Sequence, residues 1–222
     1  MTSEFDLYLD ESLENYADFD RLDDDLDQED LEAFRPHRCT PEQARQRLVA
    51  GNQSFLRGVH EHEMHSVERR EDLVRDGQHP FAVIVTCADS RVQPVVSFSM
   101  GFGDLFVVRS IGNYIGRTEE AGVEYAVGHL GAPLVVVLGH THCGLVHAAM
   151  TGHADGVTKV IADEVAAIID GEKDASEAEK KHVMHGVQAL LGNRIIADLV
   201  QHGETQVVGA IYHIGSGRVE WL

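Results

Sequence analysis

The chain has 222 residues and is strongly acidic, with 37 Asp and Glu against 18 Lys and Arg and a formal net charge of −19. Such a balance argues against a nucleic-acid-binding protein, because binding to phosphates requires cationic side chains. No uninterrupted apolar run approaches the roughly 20 residues that a membrane-spanning helix needs. The length suits one ordinary domain with a sizeable core, or one domain with an appendage.

The acidic residues are concentrated at the N-terminus. Residues 1–34 hold 14 acidic side chains against one arginine, a balance of −13. We therefore predict that residues 1–36 form an acidic N-terminal arm, separate from a catalytic domain at 37–222. Apolar residues recur in the arm at helix-like spacing, so it is either a mobile segment or a helical arm that docks on a partner subunit. The first residues lack the basic character of a targeting signal, and we expect a cytoplasmic protein.

Beyond the arm, strand and helix patterns alternate along the chain. Thr40, Pro41 and Gln43 mark a helix start with a capping box, and this helix is predicted to run toward Phe55. Strands are predicted at 81–85, 104–109, 134–139 and 206–212, followed by a glycine-containing turn and a last strand at 218–222. The other helices are predicted at 68–77, 92–98, from Thr118 to 130, 143–151, 158–170 and 177–201.

This alternation predicts an α/β fold. We expect a central, mostly parallel four-stranded sheet with a fifth antiparallel strand and helices on both faces. Ligands of such a sheet bind at the carboxyl ends of its strands.

Two short motifs lie at these strand ends. Cys87-Ala88-Asp89-Ser90-Arg91 follows the first predicted strand, and His140-Thr141-His142-Cys143-Gly144 follows the third. The two motifs together would bring two thiols and one imidazole to one edge of the sheet, and this is a ligand set suited to zinc. Asp89 and Arg91 are two residues apart, so in an extended chain they share a face and can pair.

Other interpretations of the cysteines stay open at this point. The chain has three, Cys39, Cys87 and Cys143, which do not form an even disulfide framework. The zinc could be structural, with Cys39 or His142 as a fourth protein ligand. Alternatively, Cys87 and Cys143 could be ordinary buried thiols.

The chain resembles the β-class carbonic anhydrases over about residues 40–222. The segments that carry the resemblance are CADSRV at 87–92, GDLFVVR at 103–109, EYAV at 124–127 and VLGHTHCG at 137–144. The resemblance implies that Cys87, His140 and Cys143 bind Zn²⁺ and that Asp89 and Arg91 form a catalytic dyad beside the open fourth position of the metal. It further implies that Gln78 and the backbone N–H of Gly144 bind the substrate.

The activity implied by the resemblance is the reversible hydration of carbon dioxide to bicarbonate and a proton by a zinc-bound hydroxide. The family also implies a homodimer, or dimers paired into a tetramer, because its sites form at a dimer interface. Two alternatives remain: hydrolysis of carbonyl sulfide or carbon disulfide on the same scaffold, and a structural zinc or scaffold protein.

The sequence departs from the family at a few positions. Some members have a non-catalytic bicarbonate site that uses a tryptophan three residues before the first zinc cysteine, but this chain has Ile84 there. Arg109, which belongs to the same site, is present. Gln93 replaces a common proline, and Ser110-Ile111 replaces the more usual Asn-Ala. Because Ile84 stands in place of the tryptophan, we expect that the regulatory bicarbonate site is absent, whereas the other departures affect the detailed shape of the pocket and not the metal.

Overall fold

Five strands form one sheet in this computed structural model, which describes residues 39–58 and 65–222. The strands are β1 (Ala82–Cys87), β2 (Leu105–Ser110), β3 (Leu134–His140), β4 (Gln206–Tyr212) and β5 (Val219–Trp221). Their order is β2-β1-β3-β4-β5. The first four are parallel, and β5 is antiparallel to β4. The predicted fold class is confirmed.

Eight α-helices connect or flank these strands in the described part of the chain. They are α1 (Pro41–Leu56), α2 (Val67–Asp76), α3 (Pro94–Ser97), α4 (Arg117–Gly128), α5 (Gly144–Thr151), α6 (Gly156–Ile168), α7 (Ala175–Leu191) and α8 (Arg194–Gln201). The first of them begins as the sequence predicts. Gln43 N–H donates to Thr40 Oγ1 at 3.2 Å, and Thr40 N–H donates to Gln43 Oε1 at 2.8 Å.

The two faces of the sheet are both buried, because side chains alternate along each strand. Ile84 and Val136 face one side, where they pack with Leu48 of α1 and with Phe98 just after α3. The opposite face carries Val83, Val85, Val135 and Val137, which pack against α4, α7 and α8. Each of these buried aliphatic side chains contributes about 1.5–3 kcal/mol of transfer free energy. The helices thus cover both faces, as predicted.

The strand order creates a crevice between β1 and β3. From β1 the chain passes through α3 to β2 on one side, whereas β3 pairs with the other side of β1. The helices that follow β1 and β2 pack on opposite faces of the sheet, so the carboxyl ends of β1 and β3 form a topological switch point.

The predicted N-cap of one helix was wrong. Helix α4 begins at Arg117 with Gly116 as its N-cap, and Thr118 lies inside its first turn. Glu119 explains the difference, because its carboxylate accepts the Gly116 N–H at 3.1 Å and completes the cap from the third helical position.

The predicted helix at 177–201 is two helices. Helix α7 ends at Leu191, and Asn193 caps α8 by accepting N–H groups from Ile195 and Ile196 at 2.9 and 3.2 Å. The same Asn193 side chain donates to two glutamates of α4. Periodicity could not show this break, because it depends on a contact with a helix some 70 residues away in sequence.

The predicted arm at residues 1–36 lies outside the described residues, so the arm and its boundary with 37–222 stay predictions. Cys39–Leu222 clusters as one unit. Among the helices of the described segments, none has both the length and the apolar character to span a membrane.

We expect Gly139→Ala to destabilise the fold. Helix α7 packs directly on the backbone of β3 here, and an added Cβ would lie 2.4 Å from Val183 Cγ2 and 3.1 Å from Ile211 Cδ1. Overpacking of this kind should lower the free energy of unfolding by about 1–3 kcal/mol, measured by urea denaturation at fixed protein concentration. Gly128→Ala is the matched control, since an added Cβ there is 3.7 Å from Ile195. Equal stability of the two variants would contradict the packing described.

Candidate metal centre

Three donor atoms meet at the switch point of the sheet. Cys87 ends β1, His140 ends β3, and Cys143 is the residue before α5. Their donor atoms lie within 4.8 Å of one another, and this is the one group of three or more such side chains found within residues 39–58 and 65–222. All three side chains are buried, with exposed fractions of 6%, 0% and 2%.

The imidazole of His140 is oriented toward a ligand. Its Nδ1 lies 3.0 Å from the Thr141 carbonyl oxygen, which can only accept, so Nδ1 carries the proton and Nε2 carries the lone pair in the neutral ring. Nε2 is buried and has no hydrogen-bond partner in the described part of the protein. A buried nitrogen left unpaired is costly, and a metal ion would satisfy it.

The two thiols share the remaining polar contacts of the cluster. Cys87 Sγ accepts backbone N–H groups from Asp89 at 3.3 Å and from Gly112 at 3.2 Å. The neighbouring Cys143 thiol, the His140 imidazole and these amides lower the pKa of Cys87, and the neighbouring Cys87 raises the pKa of Cys143. Cysteine ligands of a metal are deprotonated, so binding of a divalent cation here would release the protons that the two thiols still carry.

Asp89 and Arg91 form a bidentate pair beside the cluster. Arg91 Nε donates to Asp89 Oδ1 at 3.0 Å, and Nη2 donates to Oδ2 at 2.7 Å. The pairing that we predicted occurs in a turn rather than in an extended chain, because Val92 N–H donates to the Asp89 carbonyl at 3.0 Å. The Arg91 guanidinium holds the pKa of Asp89 well below its usual range. Arg91 also donates to the His142 carbonyl at 3.3 Å, which connects the two motifs.

Arg109, at the end of β2, fixes this turn from outside. Its guanidinium donates to the carbonyl oxygens of Cys87 at 2.9 Å, Asp89 at 2.9 Å and Val92 at 2.8 Å. A further bond reaches Gln93 Oε1 at 3.2 Å, so the Gln93 side chain supplies an additional acceptor. The sequence did not reveal this role. The available signal was the parallel pairing of β1 and β2, which places Arg109 beside Thr86.

The second motif is held by Glu179 of α7. This buried carboxylate accepts the Cys143 N–H at 3.2 Å. No pattern in the sequence distinguishes Glu179 from other acidic residues of a helix. Next along the chain, Gly144 opens α5 and is exposed, and no heavy atom lies within 4 Å of the place where a Cβ would stand. The space on the side-chain face of Gly144 is therefore open.

Gln78 does not reach the cluster of its own chain. It is exposed and precedes the amino end of β1, whereas Cys87 ends that strand. Five residue steps at 3.3 Å separate the two ends of β1 by about 16 Å. A glutamine side chain does not bridge this length of strand.

The two candidates for a fourth protein ligand also lie apart from the cluster. Cys39 packs against the core on the α1 side of the sheet. His142 is exposed, and its backbone takes the left-handed φ of 59° between His140 and Cys143. The described residues thus supply three donors.

Comparison with known proteins identifies the family. A carbonic anhydrase family model matches residues 82–219. "Carbonic anhydrase 2" of Mycobacterium tuberculosis is 37% identical over 182 residues, covering 77% of this chain and 87% of that protein. A carbonic anhydrase of Mycolicibacterium smegmatis is 36% identical over 184 residues, covering 78% and 89%.

Solved structures agree with these sequence matches. The β-carbonic anhydrase CcaA superimposes with a TM-score of 0.64 at 27% identity, covering 80% of this chain and 94% of that one. One of two tetrameric β-carbonic anhydrases of Sordaria macrospora gives 0.63 at 26% identity, with 70% and 88% covered. The chain belongs to the β-class carbonic anhydrase family.

We expect Arg109→Met to loosen the turn at residues 88–92. Several amides in this turn form hydrogen bonds that depend on the conformation of its backbone. The variant loses all the hydrogen bonds that the Arg109 guanidinium donates to this turn. Hydrogen–deuterium exchange there should accelerate about tenfold, since a net loss of one or two hydrogen bonds is worth roughly 1–2 kcal/mol. Arg75→Met is the control, because Arg75 pairs only with nearby carboxylates. Unchanged exchange in Arg109→Met would show that Arg109 does not fix the turn.

Proposed function

We propose that this chain is a zinc enzyme that reversibly hydrates carbon dioxide to bicarbonate and a proton. The observation that carries the proposal is the cluster of three donors, two sulfurs and one unpaired imidazole nitrogen, beside a bidentate Asp89–Arg91 pair. Membership of the β-class carbonic anhydrases supports the same reaction.

Cys87, His140 and Cys143 would hold the ion. Thiolate and imidazole are preferred zinc ligands, and three protein ligands are the number found in catalytic sites, where one position stays open. Zinc in such a site supplies the Lewis acidity that brings the pKa of water down to about 7, so that a nucleophile for carbon dioxide is available at neutral pH.

Asp89 would orient the attacking water. Its carboxylate offers about four lone-pair sites. Oδ1 accepts two hydrogen bonds from Arg91, through the backbone N–H and Nε, and Oδ2 accepts one. One site on Oδ2 therefore remains for the hydrogen of the water. Because the pKa of Asp89 is held low by Arg91, this carboxylate accepts a hydrogen bond without taking the proton.

Gly144 and Gln78 would bind the substrate oxygens. The Gly144 N–H lies at the positive end of α5, next to Cys143, where negative charge is favoured. Gln78 is at the other end of β1, so its amide would come from a second copy of the chain. This supports a homodimer with shared sites, and the tetrameric Sordaria macrospora relatives support a further pairing of dimers. A cytoplasmic location stays a prediction.

The activity test compares Asp89→Asn with the zinc-loaded parent protein. We expect the parent to accelerate carbon dioxide hydration in a stopped-flow indicator assay. In Asp89→Asn the neutral amide loses an acceptor and presents a donor toward Arg91, so kcat/KM should fall by about 100-fold or more. Zinc content should stay the same. Asp163→Asn on α6 is the control, because its carboxylate pairs only with the exposed Lys159.

Two results would overturn the proposal. A parent protein that binds zinc but turns over carbonyl sulfide or carbon disulfide, and not carbon dioxide, would assign a different substrate. A cobalt-substituted protein without a water-exchangeable position would indicate a structural site.

The shared site predicts complementation between two defective chains. Gln78→Ala keeps the metal ligands, and Cys87→Ser keeps Gln78, so a hybrid dimer contains one complete site. Random mixing by co-expression should restore roughly a quarter of the parent activity, since half of the dimers are hybrid and each has one complete site of two. Activity equal to the sum of the separately purified variants would show that Gln78 does not act across the interface.

A further inference from the structure

A buried histidine is connected to the sulfur of Cys87 through hydrogen bonds to a single intervening residue, Gly112. His182 of α7 is 3% exposed, and its Nε2 is 2.7 Å from the carbonyl oxygen of Gly112. Because a carbonyl only accepts, Nε2–H is the donor. The N–H of the same Gly112 donates to Cys87 Sγ at 3.2 Å. The two bonds therefore hold the backbone on both sides of the Gly112 Cα.

The backbone at this point needs such support. Gly112 and Asn113 are consecutive residues with left-handed φ angles of 59° and 47°. A Cβ on Gly112 would lie 2.5 Å from Leu145 Cδ2, so only glycine fits between β2 and α5. Sparsely populated backbone of this kind persists when surrounding groups fix it, and it is concentrated at functional sites. His182 is the side chain that fixes the Gly112 carbonyl.

The surroundings of His182 keep its ring neutral and leave room beside it. Burial lowers the pKa of His182, and its Nδ1 has no partner among the residues that the structure describes. A cavity of about 260 Å³ adjoins the ring and is also lined by Tyr114, Glu164 and His185. A replacement side chain at position 182 can thus be accommodated without overpacking.

We propose that His182 is a positioning residue of the metal centre, which holds the Gly112 carbonyl and thereby keeps the Gly112 N–H, on the other side of the Cα, directed at the Cys87 sulfur. A thiolate that accepts this N–H bond would keep its orientation when the ion binds. This inference rests on the zinc-binding part of the proposed function. Hydrogen-bond partners of metal ligands typically change metal affinity by 10–100-fold when they are removed.

The test is the zinc affinity of His182→Leu, measured by competition with a chelator, together with the spectrum of the cobalt-substituted protein. We expect about tenfold weaker zinc binding and a shift of the thiolate-to-cobalt charge-transfer band. His182→Gln, whose amide also donates, should restore both. His185→Gln lines the same cavity and is the control, with parent values expected.

The possible results distinguish failure of the proposed function from failure of the role of His182. If the parent protein binds no zinc, the proposed function fails and not only the role of His182. If the parent binds zinc, and His182→Leu has the same affinity and the same cobalt spectrum, His182 has no positioning role. If His182→Leu does not fold, His182→Met replaces it, because a flexible thioether fills the same space without a donor. Failure of both to fold would count against the inference, since it would indicate a requirement of the whole fold.

Discussion

The parallel pairing of β1 with β3 is the constraint on which the site depends. Its register places Thr86 beside Leu138, and Thr86 Oγ1 also donates to the Leu138 carbonyl at 2.9 Å. The next residue of one strand is Cys87, and two residues further along the other is His140. Because both strands are buried and packed on both faces, a slip of one residue would exchange the side chains that fill the two cores. The positions of a sulfur and an imidazole are thus set by the same packing that stabilises the domain.

Backbone groups and buried side chains complete what the sheet begins. The Cys87 sulfur receives two amide hydrogen bonds, the Cys143 amide is held by Glu179, and the His140 ring is fixed by the neighbouring Thr141 carbonyl. Arg91 and Arg109 add positive charge on the side of the turn that carries Asp89. In a low-dielectric pocket, such preorganised donors favour the deprotonated thiols that metal binding requires.

The sequence predicted the parts of the molecule that depend on local chemistry. The cap at Thr40, the strands and the hairpin at the C-terminus follow from residue type and periodicity, and the two motifs follow from their place after strands. Glu179 and His182 could not be predicted, because their roles depend on the face of α7 that meets the sheet. The start of α4 and the break at Asn193 were missed for a related reason. The first is decided by Glu119, three residues after the cap, and the second by contacts of Asn193 with another helix.

The role of Gln78 was predicted only in part. Its motif can be recognised in the sequence, but its distance from Cys87 depends on the length of β1, which lies between them. The Asp89–Arg91 pair was predicted for an extended backbone but forms in a turn, since spacing alone does not distinguish the two.

The contacts of Arg109 have a consequence for how this loop can diverge among related chains. Three of the groups that it binds are main-chain carbonyls, which every amino acid provides. These hydrogen bonds therefore do not depend on the side chains at positions 88 and 90, which are both exposed. Substitutions there can reshape the entrance to the crevice while Cys87 beside it keeps its place. Within residues 87–91, a fixed position at Cys87 can thus be combined with variable side chains at the entrance to the crevice.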